Sequence, residues 1–272
     1  TMPFHTIVIR IVSSFLQTAG MLLQFNLDLP ESVRTLVIVE ASTSSLSEQL
    51  LLFDCGTLLR NDRDLFILKQ TASVWLIPFG SVVVCVIFWT LVQVLYLKGK
   101  KGMTGLDGFI SSLMVLFYTL FPSALNRIAL SLSCRTYGDR SLLTEALSIQ
   151  CWEGQHLYIV TTVGVPGMLA YAFLFPGLVA TTLYYERQAE RLYPSQKNYN
   201  SKWTLRFGFF FAGYRQGYEW WEVVVMGRKF GFVFLSIFLR PYGPAAQIVA
   251  AGMILVIALS AHLHFRPYRD EG

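Results

Sequence analysis

Six apolar runs of about twenty residues restrict this fold more than any other feature. They cover approximately 7–27, 72–97, 108–133, 157–184, 218–240 and 245–265. About twenty helical residues are what it takes to cross a hydrocarbon core roughly 30 Å thick. A soluble helical bundle would need a polar face on most of these segments, and none shows one. Charged residues are 14% of the chain, against about a quarter in soluble proteins, and the mean hydropathy is +0.48. The expected fold is all-α: a polytopic transmembrane helical bundle forming a single domain over 1–272, with an outer loop at 28–71 and a cytoplasmic loop at 185–217. Gly20, Pro78, Gly80, Pro122, Pro166 and Pro176 fall inside the runs, which spanning helices tolerate better than soluble ones. Pro166 and Pro176 predict kinks in the fourth span.

Loop charge orients the bundle, because cytoplasmic loops carry the excess of Lys and Arg. One side holds Arg10, Lys98, Lys100, Lys101, Arg187, Arg191, Lys197, Lys202, Arg206, Arg215, Arg266 and Arg269. The other holds Arg34, Arg60, Arg63, Lys69, Arg135, Arg140 and Arg240, and its first loop is acidic at Asp28, Glu31, Glu40, Glu48, Asp54, Asp62 and Asp64. The first side is therefore expected inside, with both ends of the chain cytoplasmic. A start at Thr1 and an end directly after a hydrophobic segment read as a portion of a longer chain. The net charge of +5 suits basic inner loops and does not point to nucleic acid, since no soluble face gathers it.

The fifth span is the exception to the apolar rule. Its sequence YEWWEVVVMGRKFGFVFLSIFLRPYGP carries Arg228 and Lys229. Phe230 to Leu239 alone separate that pair from the Arg240–Pro244 turn, a helical rise of about 15 Å. The two cations consequently lie near mid-membrane, where each costs a few kcal/mol and marks a functional site by default. Snorkelling is one outcome; a water-filled cavity, a lipid phosphate or a carboxylate from another helix is the other. Glu219 and Glu222 are three apart on one face, either solvated or reaching basic groups on a neighbouring helix. Glu222 is too far along the axis to pair directly with Arg228 or Lys229. An antiparallel hairpin through the Arg240–Pro244 turn sets Lys229 at the level of about Ile257. Tyr214, Tyr218, Trp220 and Trp221 read as an aromatic belt at the inner interface.

Cys134 and Cys151 flank the short outer loop between the third and fourth spans and are the candidate disulfide. Cys55 lies outside with no obvious partner, and Cys85 is a small apolar residue inside a span. Gln17, Gln24, Gln93 and Gln247 are expected to hydrogen-bond between helices. Arg127 reads as an interfacial anchor and His156 as a structural residue at the start of the fourth span. His262 and His264 are two apart, so they diverge on a helix and make a poor chelate. HExxH, CxxC, GxSxG, phosphate-loop and glycine-fingerprint motifs are absent, so neither catalytic residues nor a cofactor or metal is expected. There is no series of basic residues at every third position and no TVGYG filter.

Several strings taken in order carry a resemblance: IRIVSSFLQTAGMLLQFNLDLP followed by LLFDC, then CRTYGDRSLLTEALSIQCW with His156, then GYRQGYEWWEVVVMGRK, Gln247 and RPYRDEG. Together they resemble the membrane region of large protist and green-algal surface proteins. These have Cys-rich, EGF-like ectodomains and a bundle related to transient-receptor-potential and polycystin-like channels. The resemblance implies a membrane anchor or sensor, channel-like in architecture, for an extracellular structure such as a flagellar or ciliary surface filament (a mastigoneme). It implies plasma or flagellar membrane, with membrane lipids, filament or surface-protein partners, and a homo- or hetero-oligomer among the partners to test. The alternatives are a cation channel of transient-receptor-potential type, or a transporter or seven-span receptor with Arg228 and Lys229 in an anionic-ligand cavity.

Overall fold

A computed structural model describes residues 4–22, 62–97, 104–193 and 195–268. The described chain is mostly helical. Helix α1 is Phe4–Leu22, α2 covers 62–97, α3 is Gly105–Ser131, α4 is Gly154–Gln188, α5 is Ser201–Phe211, α6 is Trp221–Phe238 and α7 is Pro244–Phe265. Four of them, α2, α3, α4 and α7, are long and apolar enough to cross a membrane. Their outward faces are apolar too. On α7 only Gln247 and Ala251 are buried, while Val249, Val256, Ile257 and Leu263 are each more than 60% exposed. A continuous apolar surface of that kind requires either a partner or lipid.

The expectation of an all-α fold needs correction. The loop after α3, expected outside, folds into an antiparallel sheet of β1 (Cys134–Tyr137), β2 (Arg140–Leu143) and β3 (Ala146–Gln150), in that order. Tyr137 pairs with Arg140, so Gly138-Asp139 is a two-residue hairpin loop, and Gly138 takes the positive φ of 58° that such loops require. The loop taken as 185–217 likewise contains α5, capped by the Asn200 side chain accepting from the Lys202 amide at 3.1 Å. Of the segment expected as an outer loop at 28–71, residues 62 to 71 are the first turns of α2 rather than loop.

A widened helical turn precedes three of the prolines, two of them the residues expected to kink the fourth span. The π-helical segments Ala72–Leu76, Val160–Gly164 and Leu169–Leu174 each end two residues before Pro78, Pro166 or Pro176. Proline lacks an N–H, and its ring collides with the carbonyl four residues back; widening the preceding turn relieves both. Pro122 sits within α3 without such a segment.

The core gathers around α3. Tyr118, Phe121, Leu125 and Ile128 are wholly buried there, and Tyr118 meets Phe209 and Phe210 of α5 edge-on. At the N-terminal end of α3, Thr104 and Asp107 form a capping box. Asp107 also accepts from Arg206 of α5 at 2.7 Å. At its C-terminal end α3 runs into the β-sheet. The sheet and the Asp107–Arg206 pair are therefore at opposite ends of a rod about 40 Å long. Helices α6 and α7 pack as an antiparallel hairpin, with Gly231 so close to Ile254 that a Cβ would lie 2.9 Å from its Cδ1. This register is one residue from that expected from the turn. Arg215 closes the other end, its amide and guanidinium donating to the carbonyls of Pro267 and Phe265, both at 2.8 Å.

Candidate functional site

One of the two cations of α6, Lys229, belongs to a buried polar network. Lys229 is 0% exposed, and its ammonium donates to Gln17 Oε1 of α1 at 2.7 Å and to the Tyr118 hydroxyl of α3 at 2.6 Å. The same ammonium stands 3.9 Å from the centroid of the Tyr118 ring. The Tyr118 hydroxyl in turn donates a hydrogen bond to Glu222 Oε1 at 2.6 Å. Glu222 Oε2 accepts from Tyr214 at 2.7 Å and pairs with Arg10 Nε at 3.6 Å. Glu222 and Lys229 are seven residues apart, two helical turns and about 10 Å, on one face. They do not touch, as the spacing predicts. A single tyrosine hydroxyl spans the gap, accepting from the cation and donating to the carboxylate.

Local structure explains each position. Glu222 sits in the first turn of α6, where the helix dipole favours an anion. Arg10 donates through Nη1 to the Phe209 carbonyl at 3.1 Å, one of the acceptors left open where α5 ends. Its guanidinium stacks 4.4 Å from the centroid of Tyr214. Burial, and then the Glu222 charge, push the Tyr214 hydroxyl well above its usual pKa, so it stays protonated and donates. Gln17 also donates from Nε2 to the carbonyls of Tyr118 and Thr119, at 3.4 and 3.2 Å. Every one of these buried charges faces a partner, the condition on which such groups are tolerated.

The other site residues divide. Arg228 does not join Lys229: it is half-buried in a cleft between α6, α7 and α1, and its Nε has no hydrogen-bond partner among the described residues. Glu219 is 2% exposed, takes the Gly217 amide at 3.0 Å and pairs with Arg187 of α4 at 3.5 Å. Both glutamates thus reach neighbouring elements rather than water. The aromatic belt needs correction: Trp221 and Tyr214 are buried in the packing, and Trp220 is the member 41% exposed. Gln247 binds α7 to α6, donating to the Ser236 carbonyl at 2.7 Å. Gln93 accepts from the Gly105 amide, joining α2 to α3. Gln24 and Cys55 lie outside the described residues, and Cys85 is a free thiol.

Cys134 and Cys151 form the expected disulfide. His156 is 0% exposed beneath it; Nδ1 accepts from the Trp152 amide at 2.9 Å, leaving Nε2 to donate to the Ser131 carbonyl at 3.1 Å. The histidine thereby bolts the sheet onto α3 and α4. Both sulfurs are spent in the disulfide, so this cluster offers a metal only one ligand. Tyr118 and Arg10 could not be read as network members from sequence, since a tyrosine and an arginine in apolar runs carry no motif.

No family model matches the chain, and no solved structure matches it. It is similar to cysteine repeat modular protein A of Toxoplasma gondii, at 28% identity over 166 residues. That match takes in 57% of this chain and 5% of the Toxoplasma protein, so the chain spans a small fraction of its relative's length.

Proposed function

We propose that this chain is the membrane anchor of a larger surface protein: a six-span bundle with both ends cytoplasmic, tethering an extracellular structure. In this reading α1 and α6 complete the membrane set, their charges neutralised against one another inside the bundle. The observation that carries it is the closed network of Arg10, Gln17, Tyr118, Tyr214, Glu222 and Lys229, which spends its charges on holding four elements together. Charges lining a path would instead face water. The orientation draws support from the disulfide-bonded sheet and the basic Arg206 of α5, which lie at opposite ends of α3. A disulfide belongs on the oxidising side and basic residues on the cytoplasmic side. The name of the Toxoplasma relative, a cysteine repeat modular protein, agrees with the motif resemblance to proteins with Cys-rich ectodomains. A flagellar or ciliary filament is the tethered structure that the resemblance suggests.

The competing reading is a cation channel of the transient-receptor-potential type. Purified full-length protein in a planar bilayer separates the two. The anchor predicts silence with mono- and divalent cations and under applied tension. A reproducible cation-selective current that Glu222→Gln alters would overturn it.

A further inference from the structure

Two guanidinium donors, one on Arg10 of the network and one on Arg228 outside it, are unspent, and the two residues share a cleft. Between α1, α6 and α7, beside the start of α6, lies a cavity of about 310 Å³ whose polar lining includes Arg10, Ser14, Thr18, Arg228 and His262. A second cavity of about 360 Å³ between α6 and α7 shares Arg228 and His262 with it. Arg10 is 2% exposed, yet its Nη2 has no hydrogen-bond partner among the described residues, and neither has Arg228 Nε. A buried donor left unmade costs about 1–3 kcal/mol, more when charged. The one carboxylate in the cleft, Glu222, is already occupied: its oxygens accept from Tyr118 and Tyr214 and pair with Arg10 Nε. Lys229 is directed to Gln17 and Tyr118 instead. The cleft thus presents two cations against one committed anion.

Its rim is apolar. Ile11 and Phe15 on α1, and Leu255 on α7, line the cavities and are 49%, 62% and 46% exposed, and Leu259 beside them is 58% exposed. A polar floor of guanidinium groups beneath an apolar rim fits an amphiphile with an anionic head. Guanidinium matches phosphate with paired N–H donors, which an ammonium cannot do. We propose that this cleft binds the phosphate of an anionic phospholipid, with Arg228 and Arg10 as its donors and the acyl chains on Phe15, Leu255 and Leu259. The placement in the inner leaflet rests on the orientation proposed above; the binding itself does not.

The test is native mass spectrometry and thermal unfolding of the purified full chain in detergent, titrated with phosphatidic acid, phosphatidylcholine or inorganic phosphate. Phosphatidic acid should be retained as one adduct and raise the melting temperature; phosphatidylcholine and millimolar phosphate should do neither. Arg228→Gln should weaken phosphatidic acid about tenfold, the loss of one charge-assisted contact, while Arg228→Lys loses less. Arg135→Gln on the exposed hairpin should leave binding unchanged. His262→Glu, which puts a carboxylate in the cleft without touching the Tyr118 network, should also cost at least about tenfold. All four variants are compared at matched elution and lipid-free melting, so that misfolding is told from lost affinity. Equal binding of phosphatidylcholine, an effect of phosphate equal to that of phosphatidic acid, or undiminished binding by folded Arg228→Gln and His262→Glu proteins would each overturn the lipid assignment. A detergent titration is blind to leaflet and to conduction, so a failed anchor reading leaves this result standing, and the reverse.

Discussion

Replacing Tyr118 with Phe isolates the relay between the buried charges. The substitution keeps the ring, hence its edge contacts with Phe209 and Phe210 and its face toward Lys229, and removes one oxygen. Two hydrogen bonds of 2.6 Å vanish, each with an ionised partner. Bonds to charged groups are worth about 1.5–3 kcal/mol each. Lys229 keeps Gln17 and the ring, and Glu222 keeps Tyr214 and Arg10, so each loss falls toward the low end of that range. The sum is about 3–4 kcal/mol, or roughly 6–12 °C in melting temperature for a chain of this size. Tyr171→Phe is the matched control: it removes a buried hydroxyl whose 3.0 Å bond goes to the neutral Val74 carbonyl, a contribution of about 1 kcal/mol. Thermal unfolding in one detergent, read by tryptophan fluorescence, compares the two. A double-mutant cycle of Tyr118→Phe with Glu222→Gln should give a coupling of about 1–2 kcal/mol, because the second change removes the anion that the hydroxyl serves. If Tyr118→Phe melts within about 2 °C of wild type, or no lower than Tyr171→Phe, the charges are not held by this relay and the account of the network is wrong.

Removing the disulfide through paired Cys134→Ser and Cys151→Ser changes should cost about 2–4 kcal/mol, given its sequence separation of 17, and should abolish the mobility difference between reduced and non-reduced protein on a gel. A Cβ at Gly108 would overlap the Trp89 ring, whose Nε1 donates to Ser112 at 3.0 Å. Gly108→Ala should therefore cost about 1–3 kcal/mol by unfolding, while Gly80→Ala, with open space around it, should be neutral or slightly stabilising.

Much of the bundle was legible because lipid imposes its own grammar. Long apolar runs mark α2, α3, α4 and α7, and helix breakers mark the π-helical turns before Pro78, Pro166 and Pro176. What escaped was structure built from short or mixed segments. The sheet between Cys134 and Gln150 carries only brief alternation, and its Gly138-Asp139 loop is a weak signal beside long hydrophobic flanks. Helix α5 hides its apolar residues in a basic loop, where charge had to be read as orientation. At the site, the register of Lys229 against α7 followed to within one residue from helical rise and the turn. Its partners did not, because Gln17 lies 212 residues away and contact at that distance has no local pattern. The aromatic belt failed for a related reason: Tyr and Trp mark an interface or a polar core equally well, and here Tyr214 and Trp221 serve the core.

The arrangement also explains why a tyrosine, rather than a direct ion pair, joins Glu222 to Lys229. Both charges sit on one helix, fixed two turns apart, so neither can approach the other without unwinding α6. A partner must come from another element and must offer donor and acceptor at one point. A hydroxyl does that; an amide separates the two functions, and a carboxylate or ammonium supplies only one. Placing that hydroxyl on α3, the rod that carries the sheet at one end and the Asp107–Arg206 pair at the other, ties the charged helix to the element connecting both faces of the bundle. Gln17 and Arg10 then close the network from α1 at two levels. Withdrawing α1 would strip Lys229 of Gln17 and Glu222 of Arg10 together, exposing a buried charge of each sign. Load applied through α1 is therefore resisted by paired charges as well as by apolar contact, the behaviour an anchor requires.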